Sequence, residues 1–174
     1  PDSICNNQRN EQSMIDQPFS DLEIGQVKTS RGRTLTETDV VNFCMLTGNW
    51  LEIHANKEFA ASALYGQRIV QGTLVFAIVN ALIQFDSEVV EAFYGVDRLR
   101  FLKPSFIGDT VWARTKIIDL RPKKSGAGVA VNELLGVNQR RETILRCEFS
   151  LLVRGQRLRP VNVDPFSSME FPAK

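Results

Sequence analysis

Residues 69–85 read IVQGTLVFAIVNALIQF, and this stretch decides how the rest of the chain must be arranged. Gly72 stands where an extended run meets a helix predicted over about Thr73 to Phe85. Leu74, Val75, Phe76, Ile78, Val79, Leu82 and Ile83 leave that helix almost without a polar side. A helix that is apolar nearly all round is a buried one. Its longest apolar run, residues 73–83, falls short of the roughly 20 residues of a membrane span, so no membrane partner is expected.

A buried central helix needs a wrapping, and the downstream chain supplies strands for it. Residues 109–120 alternate, with Val111, Ala113, Thr115 and Ile117 on one face. Residues 127–137 and 142–154 repeat the habit, and residues 89–103 carry two phases around Gly95. Gly126 and Asn138-Gln139-Arg140 read as the turns between strands. Upstream, residues 24–34 read as an edge strand or hairpin arm turning at Ser30-Arg31-Gly32. The fold class expected is α+β, an antiparallel sheet wrapped round a long central helix.

Between the early strand and the central helix lie two further helices. Thr36 and Asp39 have the spacing of a capping box, and Val40, Val41, Phe43, Cys44 and Leu46 give the following helix an apolar face up to Gly48. Residues 48–54 (GNWLEIH) read as a loop. Asn56 can cap a short helix over Lys57 to Leu64, closed by Gly66, with Phe59, Ala60, Ala63 and Leu64 facing inward.

Composition narrows the function classes. The chain has 174 residues, room for one domain. We divide it into a flexible tail over 1–20, a domain over 21–155 and an irregular tail over 156–174. Twenty-one basic residues against 20 acidic ones give no charge for nucleic-acid binding. Three widely spaced cysteines, Cys5, Cys44 and Cys147, contain no CxxC, so neither a disulfide framework nor a metal site is expected. An intracellular reducing compartment (cytoplasm, mitochondrion or peroxisome) fits this usage. The chain opens on Pro1, which suggests a fragment or processed form, and Pro172-Ala173-Lys174 is not the Ser-Lys-Leu peroxisomal address.

His54 is the single histidine, which excludes any mechanism needing two. It shares a Gly-bounded loop with Asn49 and Glu52. Eighteen residues later, the free N–H groups around Gly72 open the central helix, where the positive end of its dipole makes an oxyanion site. A histidine near such a site can move a proton while an N–H polarises a carbonyl.

Three blocks make the pattern familiar: Gly48-Asn49-Trp50-Leu51-Glu52-Ile53-His54, then Ile69-Val70-Gln71-Gly72, then Arg100-Phe101-Leu102-Lys103-Pro104-Ser105-Phe106-Ile107-Gly108-Asp109-Thr110. Over roughly residues 22–154 the chain resembles the MaoC-like dehydratases, the (R)-specific enoyl-CoA hydratases of the hotdog fold. The family motifs are Gly-Asp-x-Asn-Pro-x-His, Ile-(Ala/Val)-His-Gly and (Arg)-Phe-x-Lys-Pro-Val-x-x-Gly-Asp-Thr.

The resemblance implies a hydro-lyase of fatty-acid metabolism that adds water to trans-2-enoyl thioesters. It assigns His54, Asn49 and Gly72 to catalysis, and we add Trp50, Gln71 and Glu52 as substrate-binding candidates. No metal or redox cofactor is implied; coenzyme A or acyl carrier protein is the handle of the substrate, and a homodimer is the expected assembly. Asn49 occupies the place of the catalytic aspartate, and an amide cannot take the proton, so a weakened activity is expected. Glu52 is the candidate substitute carboxylate. Gln71 replaces the histidine before the glycine. The alternatives are an acyl-CoA thioesterase and a non-catalytic acyl-thioester-binding subunit, since one fold hosts several functions. A glutamate on the central helix five residues after its glycine, as in short-chain hydroxyacyl-carrier-protein dehydratases, is missing: that position is Ala77. Lys123, Lys124 and Arg121, and the segment Arg154 to Arg159, read as solvated surface.

Overall fold

The structure, a computed structural model, describes residues 15–158. Alternating residues in the downstream half form long antiparallel strands: β3 (Val90–Phe101), β4 (Thr110–Pro122), β5 (Gly128–Asn138) and β6 (Thr143–Val153). β1 (Val27–Thr29) and β2 (Arg33–Thr34) both lie on the free edge of β4, giving the order β1–β4–β5–β6–β3. Val111, Ala113, Thr115 and Ile117 are buried together, as their alternation predicted. From β6, Ile144, Leu145, Cys147, Phe149, Leu151 and Val153 join the same core. Register shifts flank Gly95 in β3, which explains the change of phase read there.

The helices are α1 (Glu37–Thr47), α2 (Glu52–Ala55), α3 (Lys57–Ser62) and α4 (Gly72–Ala81). α1 opens on the expected capping box, Thr36 Oγ1 accepting from the Asp39 N–H and Asp39 accepting from the Thr36 N–H. It stops at Gly48, whose left-handed φ of 72° suits a residue without Cβ. Asn56 Oδ1 caps α3 by accepting from the N–H groups of Glu58 and Phe59.

α4 packs Leu74, Val75, Ile78 and Val79 against the sheet, the hotdog arrangement of an antiparallel sheet around a helix. It is shorter than expected, ten residues or about 15 Å, because the chain turns after Ala81 and Gln84 adopts a positive φ of 41°. Leu82 and Ile83 are buried, but as part of that turn. Nor is α4 enclosed on every side: Thr73, Ala77 and Ala81 are exposed.

Two other expectations change. The loop over 48–54 is partly helical, since α2 begins at Glu52 and carries His54. The inward faces of α1 and α3 are narrower than read, with Val40, Cys44 and Ala60 buried while Leu46 is 84% and Leu64 85% exposed.

Of the tail expected over 1–20, residues 1–14, with Cys5, lie outside the described residues. Ile15 is buried and bridges Phe85, and Phe19–Asp21 form a 3-10 turn. The Phe19 ring lies on β5 at Gly128, where a Cβ would come within 2.2 Å of it. At the other end Arg154 pairs with Glu91, and Arg157 with Asp86 and Glu88, and residues 159–174 lie outside the described residues.

Candidate active site

His54 is held by the main chain. α2 presents its imidazole to the strap before α4, and Nδ1 lies 2.8 Å from the carbonyl oxygen of Ile69. A carbonyl oxygen only accepts, so Nδ1 carries the hydrogen and donates it. In the neutral ring Nε2 is then the basic nitrogen. The same segment is tied a second time, the Ile69 N–H donating to the Ile53 carbonyl at 3.2 Å. His54 is 8% exposed, and its partner Ile69 lies three residues before Gly72 on the same strap.

A second pair of anchors fixes that strap from α1. Arg68 pairs through both Nη atoms with the carboxylate of Glu37, which holds Glu37 below the ordinary carboxylate range despite some burial. Gln71 Nε2 donates to Cys44 Sγ at 3.1 Å. Gln71 is 1% exposed, and its Oε1 has no partner among the described residues. Gln71, read from the sequence as a substrate contact, is not among the cavity's wall residues and ties the start of α4 to α1.

The cavity opens at the N-terminus of α4. It measures about 270 Å³ and is walled by Gly72 and Val75, by Tyr65, Ile69 and Val70 of the strap, and by Phe101 to Ser105 with Ile144. Space is tight at Gly72: a Cβ would meet three atoms of the Phe101 ring at 3.0 Å, so the ring would have to shift. The first N–H groups of a helix have no partner within it, so this end presents donors and positive potential.

The segment from Phe101 to Asp109 is held from the far side. Asp109 is buried and accepts four hydrogen bonds, from Phe106 N–H (3.0 Å), Gln139 Nε2 (2.6 Å) and Arg140 Nη1 and Nη2 (2.8 and 3.2 Å). Burial pushes its carboxyl up, but these donors outweigh it and hold the carboxyl below its ordinary range. Glu142 accepts from Asn138, Lys103 and Arg140, which together pull it down to about 2. The tip of the β5–β6 hairpin thus clamps the cavity wall.

The structure docks His54 of α2 on the strap that leads to Gly72, and no hydrogen bond joins three other candidates to that pair. Asn49 is half-buried just beyond α1; its N–H donates to Thr47 Oγ1 at 3.3 Å, and no hydrogen bond joins it to His54. Trp50 is 54% exposed and lies off the cavity wall, so it is not a wall residue of this pocket. Glu52 is exposed in the first turn of α2, facing solvent, where it complements the helix dipole. The residues that sequence reasoning missed are Tyr65, Phe101, Lys103 and Ser105. Three of them sit in the Arg100–Thr110 block, whose match carried no role in the sequence itself. Of the basic residues read as surface, Arg121 pairs with Asp119 and Lys123 lies 5.2 Å over the Tyr94 ring.

Residues 21–138 match the family model of the MaoC like domain. The chain belongs to this family. Protein MaoC of Klebsiella aerogenes is 36% identical over 97 residues, 55% of this chain and 29% of the relative, so the chain spans under a third of that protein's length. The (R)-specific enoyl-CoA hydratase of Rhodospirillum rubrum is 30% identical over 106 residues, 61% of this chain and 73% of the relative. The solved structure described as a monoamine oxidase regulatory protein from Archaeoglobus fulgius superposes with a TM-score of 0.76 at 34% identity, covering 80% of this chain and 95% of that one. The MaoC-like family thus contains hydratases; in this member Gly72 lines the cavity, and His54 docks on Ile69, another of its wall residues.

Proposed function

We propose that this MaoC-like protein is an (R)-specific enoyl-thioester hydratase, and in reverse a 3-hydroxyacyl-thioester dehydratase, in fatty-acid metabolism. The observation that carries the reading is the His54–Ile69 hydrogen bond, which leaves Nε2 as the unprotonated nitrogen of a ring docked on the segment that leads into Gly72. The thioester carbonyl of the substrate accepts from the Gly72 N–H, which draws electron density from C3. A water held by Nε2 and the Asn49 amide adds its oxygen to C3 as Nε2 takes one of its protons. The resulting imidazolium then delivers that proton to C2, so one water is consumed and His54 is regenerated. Coenzyme A or acyl carrier protein carries the acyl group, and the chemistry calls for no metal or redox cofactor.

A homodimer belongs to this reading. β3 ends the sheet with a 12-residue edge unpaired in the single chain, flanked by exposed Phe93, Tyr94, Phe101 and Leu102. A long open edge with apolar side chains favours pairing with another strand. Antiparallel pairing of β3 with its copy would satisfy the edge and bring the partner close to the cavity, whose wall includes Phe101 and Leu102.

Asn49 favours one rival, a subunit that binds acyl thioesters without turning them over. Crotonyl-CoA hydration, followed by loss of enoyl absorbance in the native protein and in Asn49→Asp, tests the proposal. Turnover by either protein supports it. Inertness of both across short and long enoyl chains overturns it and, if butyryl-CoA still binds, leaves the binding subunit. Release of free thiol from saturated acyl-CoA would instead point to a thioesterase.

A further inference from the structure

We propose that the Ser105 hydroxyl is a second hydrogen-bond donor to the substrate's thioester carbonyl, completing with the Gly72 N–H a two-donor oxyanion site. The proposal rests on the hydratase reading for its substrate class but is carried by observations at a different residue.

Ser105 is 5% exposed and lines the same cavity as Gly72. Its hydroxyl has no hydrogen-bond partner among the described residues, yet it is not sealed off as the buried orphan atoms of Gln71, Asn80 and Asn132 are. A hydroxyl placed in a largely apolar wall without a partner costs free energy, and one that reaches open space within a cavity is available to a ligand.

Its backbone is fixed on both sides. The Val70 N–H donates to the Ser105 carbonyl at 2.8 Å, and Ile69 and Phe106 form an antiparallel bridge. Phe106 N–H is taken by Asp109. Ser105 is therefore docked beside Val70, two residues before Gly72, with its hydroxyl as the free polar group. Other side-chain donors on the wall are less suited: Lys103 Nζ is engaged by Glu142 at 2.6 Å, and Tyr65 is exposed. The family motif has valine here, so the hydroxyl is a feature of this chain that the resemblance does not explain.

An alkoxide-like oxygen developing on the thioester is stabilised most by donors already in place, and losing one such donor costs about 10²-fold or more in rate. Ser105→Ala, Ser105→Thr and the native protein should be compared in two measurements. In crotonyl-CoA hydration, kcat should fall about 10²-fold in Ser105→Ala with KM changed less than about threefold, and Ser105→Thr, which keeps a hydroxyl, should recover most of the loss. In infrared difference spectra of bound butyryl-CoA labelled with ¹³C at the thioester carbonyl, the band should lie at lower wavenumber in the native protein than in Ser105→Ala. A measurable native kcat that Ser105→Ala leaves unchanged, or one carbonyl band position for both, overturns the proposal, as does failure of butyryl-CoA to bind. If the native protein and Asn49→Asp do not hydrate but the carbonyl band still depends on Ser105, the hydratase reading fails and the two-donor site stands.

Discussion

Replacing Asp109 by asparagine should unfasten the wall of the cavity, and the size of the effect follows from its donors. Oδ1 accepts from Gln139 and Arg140, and Oδ2 from the Phe106 N–H and Arg140. Asparagine offers one acceptor oxygen and one donating amide. Whichever way it is placed, two of the four donors then face a donor. Losing a charged acceptor and leaving a buried donor unpaired costs about 2–4 kcal/mol at neutral pH. The pH dependence has a definite sign. The folded carboxyl titrates below its ordinary value, so its contribution is present above the unfolded pKa of about 3.9 and is lost as the pH falls through the folded pKa. Urea unfolding followed by the fluorescence of Trp50 and Trp112 should therefore separate the native protein and Asp109→Asn by this amount at pH about 7. The gap should narrow at pH about 3 and close below it, because a protonated Asp109 has the same one-acceptor problem as asparagine. A gap under about 0.5 kcal/mol at neutral pH, or one of equal size at both pH values, would refute the reasoning.

Other perturbations separate catalysis from folding. Asn49→Asp should raise crotonyl-CoA hydration by about 10²-fold or more, the usual worth of a positioned base, with little change in melting temperature. Glu52→Gln should leave that rate within about twofold, since Glu52 is exposed in the first turn of α2; a tenfold loss would make Glu52 the base. Gly72→Ala should keep stability within about 1 kcal/mol, because the helix gains propensity while the Phe101 ring, 3.0 Å from the new methyl, must shift. Its hydration rate should nonetheless fall at least about tenfold if, as proposed, the thioester carbonyl docks at the Gly72 N–H. Sedimentation of the native protein at dimer mass, and of Tyr94→Lys at monomer mass or in exchange, would bear out pairing through β3; a monomeric native protein would remove it.

The legible parts of this fold are those where side-chain period and burial coincide. β4 was readable because Val111, Ala113, Thr115 and Ile117 all point into one core. The start of α1 was readable because Thr36 and Asp39 act locally, without help from distant residues. The end of α4 was not. Leu82 and Ile83 continue the apolar pattern, and what stops the helix is a turn at Gln84 that no Gly or Pro announces. Leu46 and Leu64 misled for the opposite reason: an apolar residue at helical spacing looks like core, but burial depends on what faces it. At the site, His54 and Gly72 could be picked out by residue type. Ser105 and Asp109 could not, because their importance comes from chain segments 30 or more residues apart meeting at one wall.

The substitution at residue 49 looks at first like the loss of the site, and the geometry argues otherwise. In a histidine–carboxylate pair the carboxylate often sets the imidazole's tautomer as well as sharing its proton. Here the tautomer is set by the Ile69 carbonyl, a main-chain group that no side-chain change at residue 49 removes. The strap carrying Ile69 is held by Glu37 through Arg68 and by Cys44 through Gln71, again independently of residue 49. Loss of the carboxylate therefore subtracts a proton acceptor and a negative charge but leaves the direction of Nε2 and the helix end at Gly72 in place. On the proposed hydratase reading, restoring a carboxylate at residue 49 should therefore act on kcat far more than on KM, because it adds a partner for proton transfer and leaves the helix end at Gly72 unchanged.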